Sequence, residues 1–204
     1  MYPKDFKLIE GYLKEEYADD LVNKLMPLAL TKYQALCKEN ESDPKEVKLH
    51  TEKNIFICMS LYWGMLKLGI KQDEAVNFLD KSWSRKAKKS AKSMASMLKL
   101  FGLYKLYPMM FKSVAKKQFG EKAGFKAKFY DEPKSRCKFD MTTCLFKNYC
   151  EKYQCLELLK CFCHTDDVNN EHLHPRLKWN RHKYMGQGDD YCDFDIYVTE
   201  KDIR

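Results

Sequence analysis

The residues best placed to do chemistry lie in one string near the end of the chain, RHKYMGQGDDYCDF at positions 181–194. It reads as a cationic strand, a glycine-containing turn able to take positive φ, and a returning strand in which the thiol of Cys192 and the carboxylate of Asp193 are neighbours. Strand alternation puts Cys192 and Phe194 on one face and Asp193 and Asp195 on the other, so only one of these pairs can face a core or a pocket. Eight cysteines precede the string, five of them close together: Cys144, Cys150, Cys155, Cys161 and Cys163. With His164 they have the donor set of a tetrahedral zinc shell, yet their intervals of six, five, six and two residues contain no knuckle of the C-x2-C kind. The expectation is therefore no metal, with most of these thiols buried and inert.

The elements that must position these groups differ between the two parts of the chain. Residues 10–37 carry apolar side chains at helical spacing, with Pro27 as an expected kink or break. Ser42, Asp43 and Pro44 read as a second helix start, and that helix runs to a C-terminal glycine at Gly69. Asp73 opens a third, whose stripe of Val76, Leu79, Trp83, Ala87, Ala91 and Met94 recurs every three to four residues. A further helical stretch covers 97–119. Beyond Gly120 the period becomes two: Phe125, Ala127 and Phe129 alternate with polar neighbours, as do Cys137, Phe139 and Met141. Strands are expected from near Phe125, near Arg136, over 177–185 and over 192–198, with short helices across 142–172. This predicts one α+β domain, 1–204, in which a helical N-terminal layer (1–120) packs on a cysteine-rich, four-stranded antiparallel sheet region (121–204).

Charge and hydropathy narrow the classes. The formal net charge of +8 is concentrated in residues 81–138, which hold 17 basic and 3 acidic groups. The run KSWSRKAKKSAK at 81–92 surrounds a regular apolar stripe, as the solvated side of an amphipathic helix does, and no zinc-finger or RNA-recognition signature accompanies it, so no nucleic-acid partner is expected. The most apolar stretch, 94–111, is interrupted by Lys99, Gly102, Lys105 and Pro108. It is read as two buried or partly buried helices, with no membrane partner. The first 17 residues lack the apolar run of a signal peptide, and nine cysteines without a signal fit reduced thiols, so a cytoplasmic location is expected.

In its last third the chain resembles the L-2-amino-thiazoline-4-carboxylic acid hydrolase-like proteins. Arg181, Gly188, Asp189, Cys192, Asp193 and Phe194 match that family's arginine, Gly-Asp-rich turn and Cys-Asp-Phe. FDMTTC at 139–144 is similar to its strand running into a cysteine, and CFCHTD at 161–166 to its cysteine stretch ending in an acid. Where the family favours small hydroxyl residues this chain has His182 and Tyr184. The resemblance implies a cofactor-independent hydrolase that opens a cyclic amidine-like C=N group in a small substrate carrying a carboxylate, in a monomer or a homodimer. It implies Cys144, Cys163 or Cys192 as nucleophile, Asp166 as an alternative general base on water, Asp193 beside them, Arg181 holding the substrate carboxylate, and His164 and His182 as further polar groups of the site. Plainer roles stay open. Cys192 reads equally as core, Asp166 as the cap of a helix beginning near Val168, His164 as structural, and Arg181 as the partner of Asp189. The alternative function is a non-catalytic small-molecule-binding or sensing module, as in the similar cysteine-bearing sheet domains of the 4-vinyl reductase type. An enzyme should show a closed polar pocket where these groups converge; a sensor should show a larger apolar one.

Overall fold

The computed structural model describes residues 4–200; the first three residues of the N-terminal stretch read above lie outside them. Eight α-helices precede or interrupt four strands: α1 Lys4–Glu16, α2 Asp19–Glu39, α3 Lys45–His50, α4 Phe56–Lys67, α5 Gln72–Leu98, α6 Tyr107–Gln118, then β1 Lys126–Phe129, β2 Arg136–Thr143, α7 Leu145–Lys152, α8 Leu159–Asn170, β3 Leu177–Asn180 and β4 Cys192–Val198. The fold is α+β, mostly helical, with one antiparallel sheet in the order β1-β2-β4-β3.

Two helix boundaries differ from the expected ones for physical reasons. The break in the first helical stretch falls at Ala18, not at Pro27. Ala18 takes extended backbone, and Asp19 and Asp20 place negative charge in the first turn of α2, where the helix dipole favours it. Pro27 is carried inside α2 because Val22, Leu25, Met26 and Ala29 on either side of it are buried, with α2 packed on α4. At that contact a Cβ on Gly64 would lie 2.6 Å from Leu25 Cδ1, so a larger residue there would force the Leu25 side chain to move. The expected cap by Ser42 or Asp43 is also absent. Pro44 occupies the N-cap of α3, and the Asp43 carboxylate instead accepts the Tyr149 hydroxyl of α7.

The alternating stripe of α5 buries Val76, Leu79, Trp83 and Ala87, and the helix packs along α8. On the sheet, Cys137, Phe139, Met141, Cys192, Phe194 and Ile196 form the inner face. Register pairs Phe139 with Phe194 and Met141 with Cys192, and the two phenyl rings stack at 4.7 Å. Such cross-strand aromatic pairs contribute about 0.2–1 kcal/mol and hold Cys192 on the inner face. α6 rests on β2 and β4 from the same side. One connected core runs from Phe6 in α1 to Ile196 in β4.

The third strand is shorter than the expected 177–185. Its ladder with β4 ends at Asn180, paired with Asp195. Beyond it the backbone N–H groups find side-chain acceptors: those of His182 and Lys183 donate to Asp193 Oδ1 at 2.8 and 2.6 Å, and that of Tyr184 donates to Asp189 Oδ2 at 2.8 Å. With those donors satisfied outside the ladder, 181–187 leaves the sheet as a loop, closed by Gly188 at φ +101°, a conformation that favours glycine.

Candidate functional site

Between the inner face of the sheet, α5, α6 and α8 lies a cavity of about 410 Å³. Most of its wall is aromatic or aliphatic: Phe111, Phe125, Phe139, Phe146, Phe162, Trp179 and Phe194, with Met94, Met141 and Met185. One end is polar. Cys144, Cys163, Asp166, Arg181 and Cys192 line it together.

Arg181 organises this end. Its side chain is 2% exposed and its guanidinium is sandwiched between the rings of Tyr184 and Phe194, each 4.4 Å away. Nη1 donates to the Cys163 carbonyl at 3.0 Å and to Asp166 Oδ2 at 3.2 Å, while Nη2 donates to Cys192 Sγ at 3.4 Å. The thiol and the carboxylate are therefore held along one guanidinium. Nε is buried without an acceptor. The expected pairing of Arg181 with Asp189 is not made, because Asp189 is engaged by the loop backbone.

The three cysteines of the cavity differ in environment. Burial pushes Cys144, at the N-cap of α7, up to about 12, against the pull of the Lys147 and Phe146 N–H groups. Burial likewise pushes Cys163 up to about 12 in spite of Arg181. Both are neutral thiols near pH 7. Cys192 Sγ differs in accepting two donors, the cationic Arg181 Nη2 and the Met185 N–H at 3.3 Å. Asp166 lies within α8, not at the start of a helix near Val168. Its side chain is 41% exposed, and it lines both the main cavity and an adjoining opening among Ser90, Gln118, Asn169 and Lys86. Although the opening leaves part of the side chain exposed, the surrounding cavity walls desolvate the carboxyl and raise its pKa to about 6, with Arg181 pulling down and Asp167 pushing up.

Three of the residues singled out in the sequence point elsewhere. Asp193 is on the outer face of β4. Despite its burial, hydrogen bonds from the Lys183 and His182 backbone and from the His182 ring hold its carboxyl below the usual range. His182 is exposed, its Nδ1 3.2 Å from Asp193. His164 turns to the far side of α8, where Nδ1 lies 2.9 Å from Asp80 and 3.2 Å from Ser84 in a separate surface cleft. Of the remaining cysteines, Cys58, Cys137, Cys150, Cys155 and Cys161 are fully buried in the core, where burial pushes Cys137 up to about 11, and Cys37 of α2 is half-buried. Among the described residues, no three His, Cys, Asp or Glu side chains are arranged to hold a metal ion.

Sequence reasoning missed the wall. Its aromatic residues come from α6, the segment before β1, β2, α7, α8, β3 and β4, and nothing local in each marks it as cavity-lining; overall aromatic content was the only signal. It also missed Asp167, which lies 3.7 Å from Arg181 and accepts the Trp179 indole N–H at 3.0 Å.

The polar end is assembled from β4, the 181–187 loop, α8 and the start of α7, all within the span matched by the family model for L-2-amino-thiazoline-4-carboxylic acid hydrolase, residues 48–196. The chain belongs to that family. The family segment begins inside α3, so α1 and α2 lie outside it. No curated protein matches the chain. Two solved structures are similar at low level. One is a trafficking protein particle complex subunit 3 from Naegleria fowleri, covalently bound to palmitic acid, with 14% identity and TM-score 0.34 over 90% of this chain and 98% of that one. The other is the SO2144 H-NOX domain from Shewanella oneidensis in its Fe(II)CO ligation state, with 11% identity and TM-score 0.32 over 95% and 98%. Likenesses this weak say nothing about the chemistry of the cavity.

Proposed function

We propose that the protein is a cofactor-independent, thiol-dependent hydrolase acting on a cyclic amidine or related C–N group of a small molecule. The observation that carries this reading is Cys192: at the polar end of the cavity its sulfur accepts two N–H donors, and the guanidinium that supplies one also holds Asp166. Cys192 is the nucleophile. Its proton passes to the Asp166 carboxylate as the S–C bond forms and the C=N electron pair moves to nitrogen; Asp166 then returns that proton to the leaving atom as the ring bond breaks. Water attacks the thiol-bound carbon, Asp166 takes its proton, and release of product restores the thiol. The net change is one water added and one ring bond broken. A pKa of about 6 suits a group that must both accept and give a proton near neutrality.

Arg181 is a positioning residue in this scheme, since its donors already serve Cys192, Asp166 and the Cys163 carbonyl. A substrate carboxylate finds a cation in Lys86 at the adjoining opening, where it competes with Asp5, 3.0 Å from Lys86 Nζ. The test is turnover of 2-amino-thiazoline-4-carboxylate and analogues with larger apolar substituents, followed by mass spectrometry of the trapped enzyme. A covalent adduct on Cys192 supports the scheme, and turnover undiminished in Cys192→Ser rejects it.

A second reading, a non-catalytic binding module, is favoured by the aromatic wall, which is larger and more apolar than a small polar heterocycle requires. Stoichiometric binding that raises thermal stability, without turnover of any bound compound, would support it.

A further inference from the structure

The described residues expose nine large hydrophobic side chains, and seven of them fall within residues 97–114: Met97, Leu100, Phe101, Leu106, Met109, Met110 and Val114. This segment overlaps the apolar stretch 94–111 read as two buried or partly buried helices. The end of α5, the connection at 99–106 and the start of α6 bury Leu98, Tyr104, Tyr107 and Pro108 and leave the seven in solvent, Phe101 100% exposed. The turn also holds Phe101 at φ +50°, followed by Gly102 at φ +72°. Two successive left-handed residues, one of them aromatic, keep the ring in solvent against its own backbone preference.

Charge identifies what covers this patch. Residues 81–120 contain eleven Lys and Arg and no Asp or Glu. Lys81, Arg85 and Lys86 are answered by Glu16, Glu15 and Asp5 of α1. The other eight have no acidic partner among the described residues, and Lys99 and Lys105 sit within the apolar turn itself. Apposing two copies of such a surface brings like charges together. Phe, Leu and Met side chains interleaved with lysines suit the boundary between headgroups and acyl chains, where apolar insertion and attraction to anionic lipid act together. No helix of the described residues is long and apolar enough to cross a membrane.

We propose that residues 97–114 are an interfacial docking surface for an anionic lipid bilayer. Val114 belongs both to this surface and to the cavity wall, and Ser90 of α5 and Gln118 of α6 line the cavity while exposed. The opening between α5 and α6 therefore borders the docked face, and an apolar ligand can enter the cavity from the bilayer. The docking itself does not depend on the hydrolase reading.

The test is co-sedimentation of the whole protein with vesicles of phosphatidylcholine alone or mixed with phosphatidylserine, at low and high salt. Binding is expected to the mixed vesicles, weakening with salt, and Leu100→Asp with Phe101→Asp should lower the partition by on the order of tenfold. Lys99→Glu with Lys105→Glu should lower it too. Both pairs alter exposed side chains, and Asp tolerates the left-handed backbone at 101 better than Phe, so thermal midpoints should not fall. Failure of the wild type to sediment with mixed vesicles at low salt overturns the proposal, as does undiminished binding of the Leu100/Phe101 variant. A dimer in solution that this variant dissolves, with no vesicle binding by either, assigns the patch to a second copy instead.

Discussion

Arg181 bonds both Cys192 and Asp166, and under the proposed scheme these bonds predict how each variant should fail. Cys192→Ser retains the shape of the cavity and removes the proposed nucleophile, so turnover should fall by a factor on the order of 100 or more with ligand binding kept; steady-state kinetics beside a binding titration checks this. Asp166 must be ionised in the free enzyme to accept the thiol proton. Activity should therefore rise with pH through about 6, and the limb should vanish in Asp166→Asn. The same shift has a sign for stability. A carboxyl raised above its unfolded value of about 3.9 binds more protons when folded, so its contribution is full below about 4 and declines as pH rises to about 6. Arg181→Met removes the cation that pulls Asp166 down. It should move the activity limb above 6 and destabilise the fold by about 2 kcal/mol, less than a fully buried pair because Asp166 is partly solvated in the cavity. An Arg181→Met enzyme with its limb still at about 6 would mean that Arg181 does not set Asp166.

At the scale of elements, the acids of the Gly-Asp-rich turn act as backbone acceptors. Asp193 takes two loop N–H groups and Asp189 takes a third, and this curl aims Arg181 inward after β3 has ended. Asp193→Ala orphans both N–H groups. It should destabilise by about 1–3 kcal/mol and lower activity by displacing Arg181, even though residue 193 is on the outer face of β4. Chemical denaturation gives the first quantity. An Asp193→Ala protein with wild-type stability and activity would show that water replaces the carboxylate at no loss. Legibility in the sequence followed the same division. Alternation separated Cys192 and Phe194 from Asp193 and Asp195, because period two is a local property of a strand; which set faces the core was decided by the packing of α6 on the sheet. The end of β3 was not legible, because it depends on carboxylates ten or eleven positions away folding back to compete for its N–H groups.

At the scale of the molecule, the core is continuous across the family boundary. Phe6, Ile9 and Leu13 of α1 and Val22, Leu25 and Leu36 of α2 are buried in the same cluster as the sheet, and α2 packs on α4. A fragment of residues 48–196 should therefore expose that surface and lose the cooperative thermal transition of the whole chain. Circular dichroism melts of the two proteins test this; a fragment with an equal, sharp transition would make α1 and α2 dispensable. The basic run at 81–92 is explained at this scale too. It is partly covered by the acids of α1, an arrangement of ion pairs between residues 65 to 81 positions apart that no reading along the chain could supply.

What the sequence determined by itself is what periodicity and local chemistry encode: an α+β fold, helices giving way to an antiparallel sheet after Gly120, the grouping of Cys137, Phe139 and Met141, and of Cys192 with Phe194, on one face of their strands, and the family. Tertiary structure decided which polar groups meet. Cys144, Cys163, Asp166, Arg181 and Cys192 come from four separate segments, and they share one cavity end only because β4 lies beside β2 and α8 packs against the 181–187 loop. His164 is two residues from Asp166 and yet faces Asp80, since successive positions on a helix turn by about 100° and two steps carry a side chain to the opposite side. The apolar segment at 97–114 carries the same lesson. Hydropathy measures what a side chain prefers, and whether a neighbour is present to bury it is a property of the assembled fold.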